Sequence, residues 1–123
     1  LHIGEDDVTY EEARALLGNE KIIGVSCYGN IERAQKYANL GADYVAFGSF
    51  FPSPTKPHAK VVEPEVLKIA KEKLNVPICA IGGINEENIT LLSRYNIEMY
   101  SLISAVYKDD AIEENLKKLH AKI

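Results

Sequence analysis

Short apolar runs alternate with amphipathic segments along the whole chain, and this alternation is what most restricts its fold. The runs read as strands over residues 1–3, 21–26, 43–48, 76–81 and 99–104. Helices are predicted at about 9–17, 30–40, 63–74, 85–95 and 109–120. Several runs are continuous in β-branched and aromatic residues, as strands buried on both faces are. The helical segments repeat apolar residues at three and four: Ala34, Tyr37 and Ala38 in one, Val66, Leu67, Ala70 and Leu74 in another. Such alternation predicts an α/β fold with a parallel sheet and right-handed crossovers.

A weak repeat lies within this pattern. Leu40-Gly41-Ala42-Asp43-Tyr44-Val45-Ala46-Phe47-Gly48-Ser49 parallels Tyr95-Asn96-Ile97-Glu98-Met99-Tyr100-Ser101-Leu102-Ile103-Ser104. Gly41 and Asn96 each follow a predicted helix, and they are the residue types that best tolerate a left-handed C-cap. The same helix-to-strand joint is thus expected twice.

Five strand–helix units cannot close an eight-stranded barrel, and alone they would leave two sheet edges and an apolar interior open. Two architectures compete: part of a longer (β/α)₈ TIM barrel, and a five-stranded open α/β domain. The chain opens Leu1-His2-Ile3-Gly4, inside a strand and without methionine, so the barrel is the expectation, with residues 1–123 as one domain.

Composition excludes several roles. The net charge is −4 and the basic residues are scattered, which argues against a nucleic-acid surface. No apolar run approaches the roughly 20 residues of a membrane span, and no signal-peptide pattern is present. Cys27 and Cys79 lie in predicted strands without C-x-x-C spacing, so buried, reduced thiols in a cytoplasmic protein are expected. His2, His58 and His120 are far apart and form no ligand motif.

The densest chemistry follows the third strand: Gly48-Ser49-Phe50-Phe51-Pro52-Ser53-Pro54-Thr55-Lys56-Pro57. The prolines stiffen the loop. Ser53, Thr55 and Lys56 place two hydroxyls and an ammonium close together, which suits a phosphate. A solvated surface lysine is the plain alternative for Lys56. Gly82-Gly83, after the fourth strand, allows close backbone approach at a helix start; a tight turn with Asn85 as N-cap explains it equally well. Ser104, in Ile103-Ser104-Ala105, ends the last predicted strand. In barrels the loops after the last two strands commonly bind phosphate; a hydroxyl capping the next turn is the alternative. Gly4-Glu5-Asp6-Asp7 offers carboxylates after the first strand, suited to Mg²⁺ or simply to a helix N-terminus. Ser26, in Ser26-Cys27-Tyr28, is placed to donate at a strand end, Cys27 reads as a packed thiol, and Tyr28 lines the pocket or caps the edge.

With these residues in view, the chain resembles the thiamine phosphate synthase family. The matching pieces are His2-Ile3-Gly4-Glu5-Asp6-Asp7, Ile23-Gly24-Val25-Ser26, Gly41-Ala42-Asp43-Tyr44-Val45, Phe51-Pro52-Ser53-Pro54-Thr55-Lys56-Pro57, Ile81-Gly82-Gly83-Ile84 and Ile103-Ser104-Ala105. The proline-rich piece is the most specific. The resemblance implies the last five units of a (β/α)₈ barrel. It implies a Mg²⁺-dependent transferase of thiamine biosynthesis that joins hydroxymethylpyrimidine diphosphate to thiazole phosphate and releases pyrophosphate. By the same resemblance, Asp7 is a Mg²⁺ ligand, Ser26 and Lys56 meet the diphosphate, and Ser53, Pro54, Thr55, Gly83, Ile103 and Ser104 hold the thiazole phosphate. Lys56 and Ser26 are thus the catalytic pair, acting on the leaving group.

Two departures follow from the same comparison. The family's early-strand Arg/Lys segment and its Asn-Asp pair are not among these residues, so the isolated chain is expected to be inactive. Glu5 stands where many members carry glutamine, which adds a negative charge beside the metal position. Three rivals remain: a thiazole tautomerase, whose catalytic histidine is replaced here by Tyr28; a non-catalytic thiazole-phosphate binding module; and a structural half-barrel that covers its edges as a homo-oligomer.

Overall fold

The computed structural model describes residues 1–58 and 60–123. Its strands are β1 (His2–Ile3), β2 (Gly24–Tyr28), β3 (Tyr44–Phe47), β4 (Ile78–Ile81) and β5 (Met99–Ser101). They form one sheet in the order β1-β2-β3-β4-β5, every pair parallel. An open doubly wound sheet reverses its strand order at a switch point. No reversal occurs among the described strands, so the sheet is the wall of a barrel, as expected.

The two faces of this wall differ. Ile23, Val25, Cys27, Val45, Phe47, Ile78 and Ala80 are buried in one apolar cluster with Ala34, Leu67, Ala70 and Leu92 from the helical segments. Gly24, Ser26, Tyr44 and Cys79 alternate with them and point the other way, because successive strand residues face opposite sides.

The helices are α1 (Tyr10–Leu17), α2 (Ile31–Leu40), α3 (Val66–Lys73), α4 (Thr90–Ser93), α5 (Ser104–Tyr107) and α6 (Ile112–His120). Thr9 and Glu12 close a capping box on α1, and Asn30 accepts the Arg33 amide at 2.9 Å to start α2. Helix α3 starts later than predicted. It is entered through tight turns, with Val66 N donating to Glu63 O and Leu67 N to Pro64 O.

Four further expectations need correction. The predicted strand 21–26 runs instead over Gly24–Tyr28, because the Ile23 amide donates to the Asp43 carboxylate at 2.8 Å rather than to a strand. The predicted helix 85–95 shrinks to α4. Asn85 Oδ1 accepts from the Glu87 and Asn88 amides, and Asn88 turns back to the Asn85 amide and the Gly83 carbonyl; these local bonds compete with a regular helix. The last strand stops at Ser101 because its only neighbour among the described strands, β4, ends at Ile81, opposite Ser101. Ser104 therefore opens α5 instead of ending a strand. The segment predicted as helix 109–120 is helical from Ile112, after Asp109 and Asp110 at φ of 54° and 55°.

The repeated joint is present, and it has a physical basis. Gly41 (φ 105°) and Asn96 (φ 56°) end their helical segments in the left-handed conformation. Two residues later an acid caps an earlier strand: Asp43 accepts the Ile23 amide and Glu98 accepts the Ile78 amide, each twenty residues back and each at 2.8 Å. Each acid also pairs with a base from a preceding helix, Arg14–Asp43 at 3.0 Å and Lys71–Glu98 at 2.8 Å.

This arrangement predicts acid sensitivity. The Ile23 amide and then Arg14 hold the Asp43 carboxyl below its ordinary range. Partial burial works against ionisation of Glu98, but Lys71 and the Ile78 amide outweigh it and lower its pKa as well. A depressed folded-state value means stability that is fully present above the unfolded pKa of about 4 and lost as pH falls through the folded value. Urea midpoints should therefore drop below about pH 4. Asp43→Ala, which leaves the Ile23 amide without its acceptor, should cost about 1–3 kcal/mol near neutral pH. A flat acid profile in the unchanged chain would contradict this account.

Candidate active site

The C-terminal ends of the strands surround a cleft of about 1300 Å³. Brought together in its lining are Asp7 beyond β1, Ser26 on β2, Ser53, Pro54, Thr55 and Lys56 beyond β3, Gly83 beyond β4, and Ile103 and Ser104 beyond β5. These nine predicted site residues thus line one space.

Asp7 is held by a closed turn. Its Oδ2 accepts the Gly4 amide at 2.7 Å, and its own amide donates to Gly4 O at 3.3 Å. Thr9, not Asp7, caps α1, so the helix does not account for Asp7. Tyr28, at φ 58° beyond a register shift in β2, accepts the Glu5 amide on its hydroxyl at 3.0 Å and steadies the same turn.

The loop after β3 is fastened to the end of β4. Phe50 N donates to Ile81 O at 3.1 Å and Phe51 N to Gly82 O at 3.0 Å. Ser49 O accepts the Val62 amide at 2.7 Å, tying the far side of the loop to its start. Inside it, Ser53 Oγ accepts the Thr55 amide at 3.2 Å. The glycine pair makes the joint possible. Gly82 (φ 99°) leaves room for Ser49, and a Cβ on Gly83 (φ 64°) would lie 2.5 Å from both Phe51 O and Pro52 O.

One contact was not foreseen from the sequence, where His2 stood apart from any ligand motif. His2 Nε2 lies 2.7 Å from Ser26 Oγ, and Nδ1 lies 2.9 Å from the Tyr44 hydroxyl. Its ring stacks on Tyr44 at 5.7 Å between centroids. The register explains the contact: His2 pairs with Gly24, and Gly24 with Tyr44. A Cβ at Gly24 would run into the Tyr44 ring, so glycine there lets Tyr44 cross toward His2. The available signal was the alternation of Gly24 and Ser26 with Ile23, Val25 and Cys27, which marks Ser26 and its neighbours as inward-facing.

The thiols are chemically quiet, as expected. Burial pushes Cys27 up to about 12 and Cys79 up to about 11, away from the range of a reactive thiolate.

No cluster of three or more His, Cys, Asp or Glu side chains able to cage a metal occurs among the described residues. Asp7 uses one oxygen on the Gly4 amide and opens onto the cleft. One carboxylate open to a cleft of this kind is compatible with Mg²⁺, which usually keeps several waters and takes few protein ligands.

No helix among the described residues is long and apolar enough to cross a membrane. A family model described as thiamine monophosphate synthase matches residues 1–106. The thiamine-phosphate synthase of Acidithiobacillus ferrooxidans is 44% identical over 121 residues, covering 98% of this chain and 56% of that protein. That of Wolinella succinogenes is also 44% identical, covering 97% of this chain and 55% of its own length. The chain thus spans about half the length of these relatives. Among solved structures, a thiamine phosphate pyrophosphorylase from Pyrococcus furiosus superposes with a TM-score of 0.86 at 30% identity, over 98% of this chain and 57% of that one. A 3-hexulose-6-phosphate synthase shares the fold, with a TM-score of 0.71 at 22% identity over 99% of this chain and 60% of its own. With its family model matched over most of its length and its strand-end residues gathered at one cleft, the chain belongs to the thiamine monophosphate synthase family.

Proposed function

We propose that this chain supplies the phosphate-holding part of a thiamine phosphate synthase site, where hydroxymethylpyrimidine diphosphate and thiazole phosphate combine to thiamine phosphate and pyrophosphate. The observation that carries the reading is the gathering of Asp7, Ser26, Lys56, Thr55, Gly83 and Ser104 around one cleft from five strand ends. Ser53, Pro54, Thr55, Gly83, Ile103 and Ser104 would hold the thiazole phosphate. The ammonium of Lys56 and the hydroxyl of Ser26 would stabilise charge as it builds on the departing diphosphate. Asp7 would hold a Mg²⁺ ion, which supplies charge neutralisation to the diphosphate when bound. No protein nucleophile is required: holding the thiazole nitrogen in line with the pyrimidine methylene supplies much of the rate. The quiet thiols support this, and two free, buried cysteines are in keeping with a reducing cytoplasmic setting.

The test is calorimetric titration of the chain with thiazole phosphate, with and without Mg²⁺, alongside an assay for thiamine phosphate formation. Binding without Mg²⁺, weakened in Thr55→Val and Ser104→Ala, is the expected result. Absence of binding rejects the reading in favour of a structural half-barrel. Binding that persists without turnover, even when the longer protein carrying these residues is assayed, favours a non-catalytic binding module. The tautomerase reading is weaker, because Tyr28 is engaged by the Glu5 amide where a catalytic base would be needed.

A further inference from the structure

His2 has no part in the reading above, yet its ring joins two hydroxyls of the cleft wall, Ser26 and Tyr44. A neutral imidazole carries one N–H and one lone pair. The three groups can therefore share protons in only two directions. With the proton on Nδ1, that nitrogen donates to Tyr44 and Ser26 must donate to Nε2, so the Ser26 proton is consumed within the network. With the proton on Nε2, Tyr44 donates to Nδ1, Nε2 donates to Ser26 Oγ, and the Ser26 proton is left for the cleft. An anionic oxygen only accepts, so an anion beside Ser26 selects the second arrangement.

We propose that His2 is a positioning residue: backed by Tyr44, it holds Ser26 with its hydroxyl proton turned toward the phosphate oxygens of the diphosphate. This rests on the reading of Ser26 as a diphosphate contact. Three features favour it. The register sets His2, Gly24 and Tyr44 level across three strands, and glycine in the middle is what admits the stacked ring. Ser26 is only 9% exposed and, among the described residues, has His2 as its one side-chain hydrogen-bond partner, so His2 is the group placed to set its rotamer. Finally, partial burial above all, with Lys56, pushes the imidazole below its ordinary pKa against the pull of Asp7. This favours the neutral ring, the form in which the tautomer matters.

The test uses the ¹⁵N-labelled chain titrated with Mg-pyrophosphate near neutral pH, reading the His2 ring nitrogens by NMR. The ligand should drive His2 to the Nε2–H form. Tyr44→Phe and His2→Leu should each weaken pyrophosphate binding roughly tenfold, the loss of about one hydrogen bond to a charged group. His2→Gln, whose amide nitrogen still donates toward Ser26, should recover most of that loss, which a merely structural role would not predict. A ring that stays Nδ1–H with ligand bound overturns the proposal. So does unchanged binding in Tyr44→Phe and His2→Leu when Lys56→Ala binds weakly, and in that case the proposed function survives. If Lys56→Ala also binds like the unchanged chain, or if nothing binds, the diphosphate reading itself is wrong and the proposal falls with it.

Discussion

Gly83→Ala is expected to damage stability and phosphate binding together. Gly83 has φ of 64°, and an added Cβ would sit 2.5 Å from the carbonyl oxygens of Phe51 and Pro52. These are backbone atoms of the loop that carries Ser53, Thr55 and Lys56, and they cannot swing aside as a side chain would. Left-handed backbone at a non-glycine residue costs about 1–3 kcal/mol. Overpacking against backbone adds about 1–3 kcal/mol more. The loop relieves the clash by moving off the end of β4, breaking the bonds of Phe50 to Ile81 and Phe51 to Gly82. Thiazole phosphate should then bind at least tenfold more weakly, since a shift of about 1 Å in a binding group is enough for a loss of that order. Gly18 is the control. It too has positive φ (79°), but an added Cβ meets nothing within 4 Å, so Gly18→Ala reports the backbone cost alone and should leave binding unchanged. Urea denaturation and calorimetry on the two variants check this; equal effects from both would remove the packing argument.

Lys56→Ala should weaken Mg-pyrophosphate roughly ten- to hundredfold, the range for a hydrogen bond to a charged group, while leaving the unfolding midpoint within about 0.5 kcal/mol. Lys56 is exposed, lines the cleft, and has no ion-pair partner among the described residues. Removing it should therefore cost the ligand and not the fold. Binding should also weaken with added salt, because the contact is open to solvent. A salt-insensitive affinity, or one unchanged in Lys56→Ala, would show that this lysine is only a surface charge. Lys56→Arg should recover part of the loss, because charge is kept while the guanidinium fork replaces a compact ammonium.

Much of this architecture was legible because it rests on local signals. Strand–helix alternation gave the parallel sheet. Gly41 and Asn96 marked two helix ends through the one conformation they tolerate better than other residues. The Pro-Ser-Pro-Thr-Lys loop could be placed because prolines restrict a strand end whatever surrounds it. The missed features depend on distant partners. The start of β2 is set by Asp43 taking the Ile23 amide, twenty residues away. The helix expected after Asn85 gave way to an asparagine pair whose side chains bond each other's backbone. His2 looked isolated because its partners lie on β2 and β3, and only the register brings Gly24 between it and Tyr44. Gly83 was read as a place where backbone meets a ligand; its first neighbours are the carbonyls of another loop.

The central claim is that one cleft holds two neighbouring anion positions, and it is tested most directly by mapping amide shifts in the ¹⁵N-labelled chain. Thiazole phosphate should move Ser53, Thr55, Gly83 and Ser104, and Mg-pyrophosphate should move Asp7, Ser26 and Lys56. Shifts scattered over other surfaces, or none with either ligand, would contradict the account.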